Sequence, residues 1–388
     1  MSKRVLFVIK DMNHGGSATS LLNMLYMLKD KGYEADLYLM QHRGIFLKEA
    51  KEAAHVVPES FRLSASLCEG SAVKQRFGLK GIIYRAYLSF LKRVRSQDRV
   101  QESIFQRVGK GIKGYDAVVS YQENITTDFA KYIPAAKKVA WVHTVYDRFT
   151  VNLSPEAVYQ TYARFDRIVC VANAPAKAFC NGQPRLSDRV TVLNNPMNVQ
   201  QILEKAKGDY PTKDGFKLVS VGRLSPEKRY ERCLEAAAML QREGYAFHWY
   251  LVGSGVEQAK LEKLRLELGV KDSVTMTGAL ENPYPLLRQA DLLVISSEYE
   301  AQPMVANEAL ILDVPVITTD YDSAHEVVSH GINGIICKKN AESLGNAIRA
   351  LLNDPMAWET LKQGARAFQY DNERILRTAI DLIYGETV

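Results

Sequence analysis

A chain of 388 residues, 47% apolar and 24% charged, is long enough for two separate cores and too apolar for a disordered or fibrous polypeptide. Its five cysteines (Cys68, Cys170, Cys180, Cys233, Cys337) are scattered and have no C-x-x-C spacing, which argues against a disulfide framework or a structural zinc site and favours a reducing compartment. No apolar run approaches about 18 residues, and Val5–Ile9 is too short for a signal-peptide core, so a cytoplasmic protein, soluble or peripheral on the inner face of a membrane, is expected.

The net charge of +6 is unevenly divided. Residues 1–198 carry 29 basic against 17 acidic side chains, and residues 199–388 carry 21 against 27.

Short β-rich runs alternate with helical stretches along the whole chain. In the first half they are Val5–Ile9, Ala35–Met40, Ala117–Tyr121, Val139–Val142, Arg167–Val171 and Val190–Leu193. The cycle restarts with Lys217–Val221, Phe247–Val252, Val274–Thr277, Leu292–Ile295, Val314–Thr318 and Gly334–Cys337, and helical patterns follow at 342–353 and 373–385. Such alternation predicts parallel sheets with helical crossovers. The expected fold class is α/β, with two doubly wound Rossmann-like domains facing across a cleft. The boundary falls near Asn194-Asn195-Pro196, continued by a polar stretch to Gly215. Pockets favour domain interfaces, so the site is expected in that cleft.

In chain order, Gly15-Gly16-Ser17 opens a predicted helix over Ala18–Lys29, where free N–H groups and the helix dipole can receive an anion. The G-x-G-x-x-G of a dinucleotide site is absent, which disfavours a nicotinamide dehydrogenase. From Ser71 to Gly114 eleven cations stand against two acids, and Leu79, Ile82, Ile83, Tyr84, Tyr87, Leu88, Phe90 and Leu91 recur near helical spacing. One or two amphipathic helices with a cationic side are expected, Lys92, Arg93, Arg95 and Arg99 forming a patch suited to an anionic membrane surface or another polyanion. No recognition-helix, zinc-finger or RNP pattern supports nucleic acid as the partner.

His143 ends the Lys138–Val142 run, with Asp147 four residues on. Phe216–Val221 reads as a buried strand running into Gly222-Arg223-Leu-Ser-Pro-Glu-Lys228, a loop and then a helix with Pro226 near its first turn. Gly222 permits close approach to the backbone, and Arg223 and Lys228 supply two cations where a diphosphate could lie. After Leu292–Ile295 come Glu300 and Glu308, one in the strand-exit loop and the other on the next helix. Ionised carboxylates only accept hydrogen bonds and suit the vicinal hydroxyls of a ribose or hexose. Asp320-x-Asp322 is assigned no metal, and Ser323 or Asp322 is expected to cap the following helix, with Glu326 supporting the cap.

Taken together these motifs resemble the family-4 retaining glycosyltransferases of the GT-B fold over nearly the whole chain. Gly15-Gly16-Ser17 is similar to that family's glycine-rich loop, Trp141-Val142-His143 to its central histidine segment and Asn195-Pro196 to its interdomain turn. Gly222-Arg223 with Lys228 resembles its diphosphate pair, Gly253-Ser-Gly255 a later donor-domain loop, and Glu300 with Glu308 its Glu-x7-Glu signature. The resemblance implies an acceptor-binding domain over 1–195, a nucleotide-sugar-binding domain over 196–370, and a last helix over 371–388 returning to the first domain. It implies a hexosyl transfer from a nucleotide diphosphosugar, UDP-sugar before GDP-sugar, to a glycan, lipid-linked or cell-envelope acceptor. No cofactor and no metal are expected; the nucleotide sugar is a co-substrate. His143, Arg223, Lys228 and Glu300 become the catalytic candidates. Gly16, Ser17, Gly222, Gly253, Met304, Val305 and Glu308 join the last three as donor contacts. The chain departs from the family at Ala301-Gln302-Pro303, where a glycine-rich run is usual, and at Asp313, where glycine is common. Pro303 removes an N–H, so donor amide contacts do not transfer position by position. A sugar-nucleotide hydrolase or epimerase on the same fold, or a binding protein on a degenerate transferase scaffold, are the competing readings.

Overall fold

The computed structural model describes residues 3–13 and 15–386. The β-branched and aromatic runs form thirteen strands among these residues: β1 Val5–Ile9, β2 Ala35–Leu39, β3 His55–Val56, β4 Ala117–Ser120, β5 Lys137–Val142, β6 Arg167–Cys170, β7 Val190–Val192, β8 Phe216–Val221, β9 Phe247–Val252, β10 Val274–Gly278, β11 Leu292–Ile295, β12 Val316–Thr319 and β13 Gly334–Cys337. They make two all-parallel sheets, ordered β3-β2-β1-β4-β5-β6-β7 and β10-β9-β8-β11-β12-β13. Both orders reverse direction beside the first strand of the sheet, the doubly wound topology in which ligands bind beyond the carboxyl ends of the strands. β3 was not foreseen, because two residues carry no periodicity.

The chain divides into one unit of Met1–Pro196 with Asn372–Val388, and a second of Met197–Asp371. In the first unit β1 is buried along its whole length, and Leu6, Val8, Val118, Val142 and Phe179 join one core. The helix Asn372–Tyr384 belongs to this unit and packs on β4 and β5. Its Tyr384 ring lies 4.7 Å from that of Tyr33, and its hydroxyl donates to the Glu34 carbonyl at 3.3 Å.

In the second unit successive residues of each strand feed opposite faces of the sheet. Leu218, Trp249, Val294 and Ile317 enter one core, while Val219, Tyr250, Ile295 and Val316 enter the other. A parallel sheet covered on both faces requires such continuous apolar strands.

Three local expectations are corrected. The polar stretch before Gly215 contains the helix Val199–Lys205, begun by Asn198, whose side chain accepts from the Gln201 amide at 3.0 Å. Pro226 opens a single 3-10 turn, Pro226–Lys228, and the helix proper, Tyr230–Arg242, starts only after Arg229 has taken a left-handed conformation at φ 53°. Neither Asp322 nor Ser323 caps the 3-10 turn Ala324–Glu326; the Ser323 hydroxyl instead donates to the Glu300 carbonyl at 2.8 Å. The basic segment, expected as one or two helices, is two, Gly70–Val94 and Gln97–Gly109, the first broken at Gly78 by φ 58°. Asp313 takes φ 63°, a conformation that glycine adopts freely and aspartate tolerates better than most residues, so the tight turn into β12 survives without glycine.

Candidate active site

The loops leaving β8 and β9 lie against each other. A Cβ on Gly253 would sit 1.8 Å from the Gly222 carbonyl oxygen, and Gly253 has φ 145°, so glycine is required on both steric and conformational grounds. The Gly222 amide donates to the Val252 carbonyl at 3.0 Å, and the Leu224 amide to the Ser254 carbonyl at 3.0 Å. This stitching fixes the segment that presents Arg223 and Lys228.

Lys228 points into a small pocket shared with Ser296, Ser297, Glu300 and Val305, at the ends of β8 and β11. Its Nζ lies 2.5 Å from Glu300 Oε1, which also accepts from Ser297 Oγ at 2.6 Å. Both contacts fall on Oε1 and leave Oε2 for a ligand hydroxyl. The Lys228 carbonyl accepts from Ser296 Oγ at 2.7 Å, and the Glu227 carbonyl from the Glu298 amide at 2.8 Å. The two strand-exit loops are thereby tied together around the Lys228–Glu300 pair. Arg223 is exposed beside them; burial raises the Glu227 carboxyl, but the Ser225 hydroxyl bond, with help from Arg223, holds it below its ordinary range.

The helix Met304–Ile311 carries Met304, Val305 and Glu308. Positions three and four apart share a helix face, so Glu308 lies one turn along from the pocket that Val305 lines. Burial pushes the Glu308 carboxyl up to about 7, opposed by a hydrogen bond from the Tyr284 hydroxyl to Oε1 at 3.2 Å. Pro303 occupies the position before this helix, where its missing N–H is no loss, and the first-turn amides of Met304 and Val305 have no intrahelical acceptor. The proline thus leaves an anion-accepting helix start in place.

In the first unit, Gly16 and Ser17 begin the helix Gly16–Asp30, which has no side-chain cap and no acid in its first turn. His143 follows β5. Desolvation draws its imidazole down to about 4, against the pull of Glu123, so it is neutral at physiological pH. Neither ring nitrogen makes a well-formed hydrogen bond, and the ring leans on Tyr121 at 5.1 Å. Glu123 fixes this loop: its Oε2 accepts from the His143 amide at 3.0 Å and its Oε1 from Thr144 Oγ1 at 2.5 Å. Asp147 is exposed on the next short helix, and Asp320 is engaged by His325 Nε2 at 3.0 Å.

Sequence reasoning missed Glu123, Tyr284 and Ser297. An acid at the exit of β4 was a usable signal for the first. Nothing local marks Tyr284, which reaches Glu308 across 24 positions of sequence. Lys92, Arg93, Arg95 and Arg99 are all exposed, and among the described residues no helix is long and apolar enough to cross a membrane.

In the second unit, where charged groups from two strand exits gather on one pocket, residues 203–368 match the family described as glycosyl transferases group 1, and the two Rossmann-like units have the GT-B fold. Among characterised proteins the chain is 30% identical over 148 residues to alpha-D-kanosaminyltransferase of Streptomyces kanamyceticus, covering 37% of this chain and 38% of that protein. It is 28% identical over 198 residues to N-acetylgalactosamine-N,N'-diacetylbacillosaminyl-diphospho-undecaprenol 4-alpha-N-acetylgalactosaminyltransferase of Campylobacter jejuni, covering 50% and 53%. The chain therefore spans about half or less of the length of these relatives. The crystal structure of Anabaena Alr3699/HepE in complex with UDP shares the fold over 99% of this chain and 100% of its own, with a TM-score of 0.73 at 18% identity.

Proposed function

We propose that the chain is a retaining, metal-independent family-4 glycosyltransferase that moves a hexosyl unit from a nucleotide diphosphosugar, preferably a UDP-sugar, to a glycan or lipid-linked acceptor of the cell envelope. The observation that carries this reading is the Lys228–Glu300 pair held between two strand exits, with Glu308 one helical turn away. A diphosphate leaving group needs cations and a sugar nucleotide needs acceptors for its hydroxyls; the pocket offers both. The names of the relatives, which specify sugar transfer and in one case a diphospho-undecaprenol carrier, and the HepE complex with UDP-glucose support the same substrate classes.

In this reading Arg223 and Lys228 neutralise the departing diphosphate. Glu300 takes the sugar hydroxyls through Oε2, and Glu308 takes the ribose. The first-turn amides of Met304 and Val305 receive a phosphate oxygen. Neutral His143 offers a hydrogen bond to the sugar and no charge. The acceptor hydroxyl oxygen bonds to the anomeric carbon as the carbon–phosphate oxygen bond breaks on the same face, and a donor phosphate oxygen receives the hydroxyl proton. The protein contributes alignment and charge, with no covalent intermediate. The cationic patch of Lys92, Arg93, Arg95 and Arg99 would hold the enzyme at the anionic inner face of the membrane.

Thermal-shift screening with UDP-, GDP-, ADP- and dTDP-sugars identifies the donor, since a ligand at one hundred times its Kd stabilises by about 2.7 kcal/mol. With that donor, transfer should need an acceptor and persist in EDTA. Donor consumption without acceptor at the full rate would establish the hydrolase or epimerase reading, and absence of any donor shift would leave only a binding scaffold.

A further inference from the structure

The basic segment has two apolar faces. After the break at Gly78, one face of the helix Gly70–Val94 turns inward and buries Leu88. Leu79, Ile83, Tyr87, Phe90 and Val94, spaced four, four, three and four, form a second ridge that is 71, 60, 55, 62 and 69% exposed. A stripe of large apolar side chains left in water at helical spacing is a contact surface lacking its partner.

Beside this ridge lies a groove of about 660 Å³, walled by the helices Phe61–Leu67, Gly70–Val94 and Gln97–Gly109. This is within the range of roughly 300–1,000 Å³ for small-molecule sites. Its floor is Leu88, Leu91, Val100 and Ile104, and Ile83 and Tyr87 belong to both groove and ridge. Arg62, Lys80, Arg95 and Arg107 line it as well, and no carboxylate does. Among the described residues none of these four side chains forms an ion pair; Lys80 rests 4.4 Å over the Phe61 ring, and Arg62 and Arg107 both face the half-buried Tyr84 phenol. An apolar trough with unneutralised cations at its margin and an apolar ridge at its mouth matches one chemistry: a hydrocarbon chain ending in a phosphate.

The geometry points to a binding site for a single anionic phospholipid of the membrane leaflet, its acyl chain in the groove and its phosphate among Arg62, Lys80 and Arg107. The exposed ridge lies in the bilayer interface and delivers the lipid through the shared residues Ile83 and Tyr87. The site is independent of the sugar-transfer reading, so either can fail alone.

Dodecyl phosphate below its micelle concentration tests the groove without a bilayer. Calorimetry on the full chain should give saturable one-to-one binding, and dodecyl maltoside or inorganic phosphate should bind at least about tenfold more weakly, because each lacks one half of the match. Ser103→Trp, which fills the groove from an exposed position of the lining, and Arg62→Gln with Arg107→Gln should each lower dodecyl phosphate affinity by about tenfold or more while the thermal transition is kept. Lys92→Gln with Arg93→Gln, outside the groove, should weaken co-sedimentation with phosphatidylglycerol vesicles in a salt-dependent way and leave dodecyl phosphate binding unchanged. Equal binding of dodecyl phosphate and dodecyl maltoside would overturn the site. So would wild-type affinity in the Ser103→Trp chain, or dodecyl phosphate binding that follows Lys92 and Arg93 and ignores the groove variants.

Discussion

Arg223→Ala should lower turnover by about 10²–10³ while leaving the fold intact, the size of effect seen when one donor to a developing charge is removed. The two halves of this expectation have separate causes. Arg223 is exposed, and its neighbour Glu227 keeps the Ser225 hydroxyl bond when the guanidinium is removed, so stability should change by no more than about 0.5 kcal/mol. Its proposed partner, the leaving diphosphate, gains charge only as the bond breaks, so turnover should fall further than donor affinity. Lys228→Ala provides the contrast. It also removes the cation from Glu300, whose side chain is only 14% exposed, and should therefore cost both turnover and stability. Single-turnover kinetics with denaturant titration of both variants decides the matter. Wild-type turnover in Arg223→Ala would remove the diphosphate assignment from the whole β8 exit.

Glu308→Gln should make the unliganded protein more stable at pH 8 and not at pH 4.5. Burial raises the carboxyl from 4.5 to about 7 in the folded state, so folding favours the protonated form. The associated stability is complete below pH 4.5, fades as pH rises, and is gone above about 7. A glutamine has no proton to lose. A carboxyl held at about 7 instead of 4.5 corresponds to about 3 kcal/mol by which the variant should exceed wild type at pH 8. Urea titrations of both proteins at the two pH values check this, and an identical difference at both would refute it. The same carboxyl predicts the sign of a linkage. If, as proposed, ribose hydroxyls donate to Glu308, they stabilise its ionised form, so UDP binding at pH 7 should release a proton from wild type and none from Glu308→Gln. Calorimetry in buffers of different ionisation enthalpy reads this directly.

These costs say something about the site. A carboxyl kept at the edge of ionisation and a lysine held by the acid beside it are poor choices for stability alone. Tyr284 and Ser297 each bond one oxygen of their glutamate and orient it, leaving the other oxygen for a ligand. Such support is what a site requires before binding energy can be spent on alignment.

The alternation of short apolar strands with helical stretches was enough to define the α/β class, because parallel strands buried on both faces must be written as continuous apolar runs. The Gly222–Arg223, Lys228 and Glu300–Glu308 spacings were legible for a similar reason: strand exits and helix starts are local, and they bring chemistry to one edge of a sheet whatever the rest of the chain does. What the chain could not announce was long-range. The contact of Tyr284 with Glu308, the closure of the Gly253 loop on the Gly222 carbonyl, and the neutrality of His143 depend on packing between segments distant in sequence. The basic helix is the clearest case. Its periodicity was visible, but a sequence gives apolar residues no address, and only the tertiary packing decided that Leu88 is buried at the floor of the groove while Ile83, Tyr87 and Phe90 are left exposed.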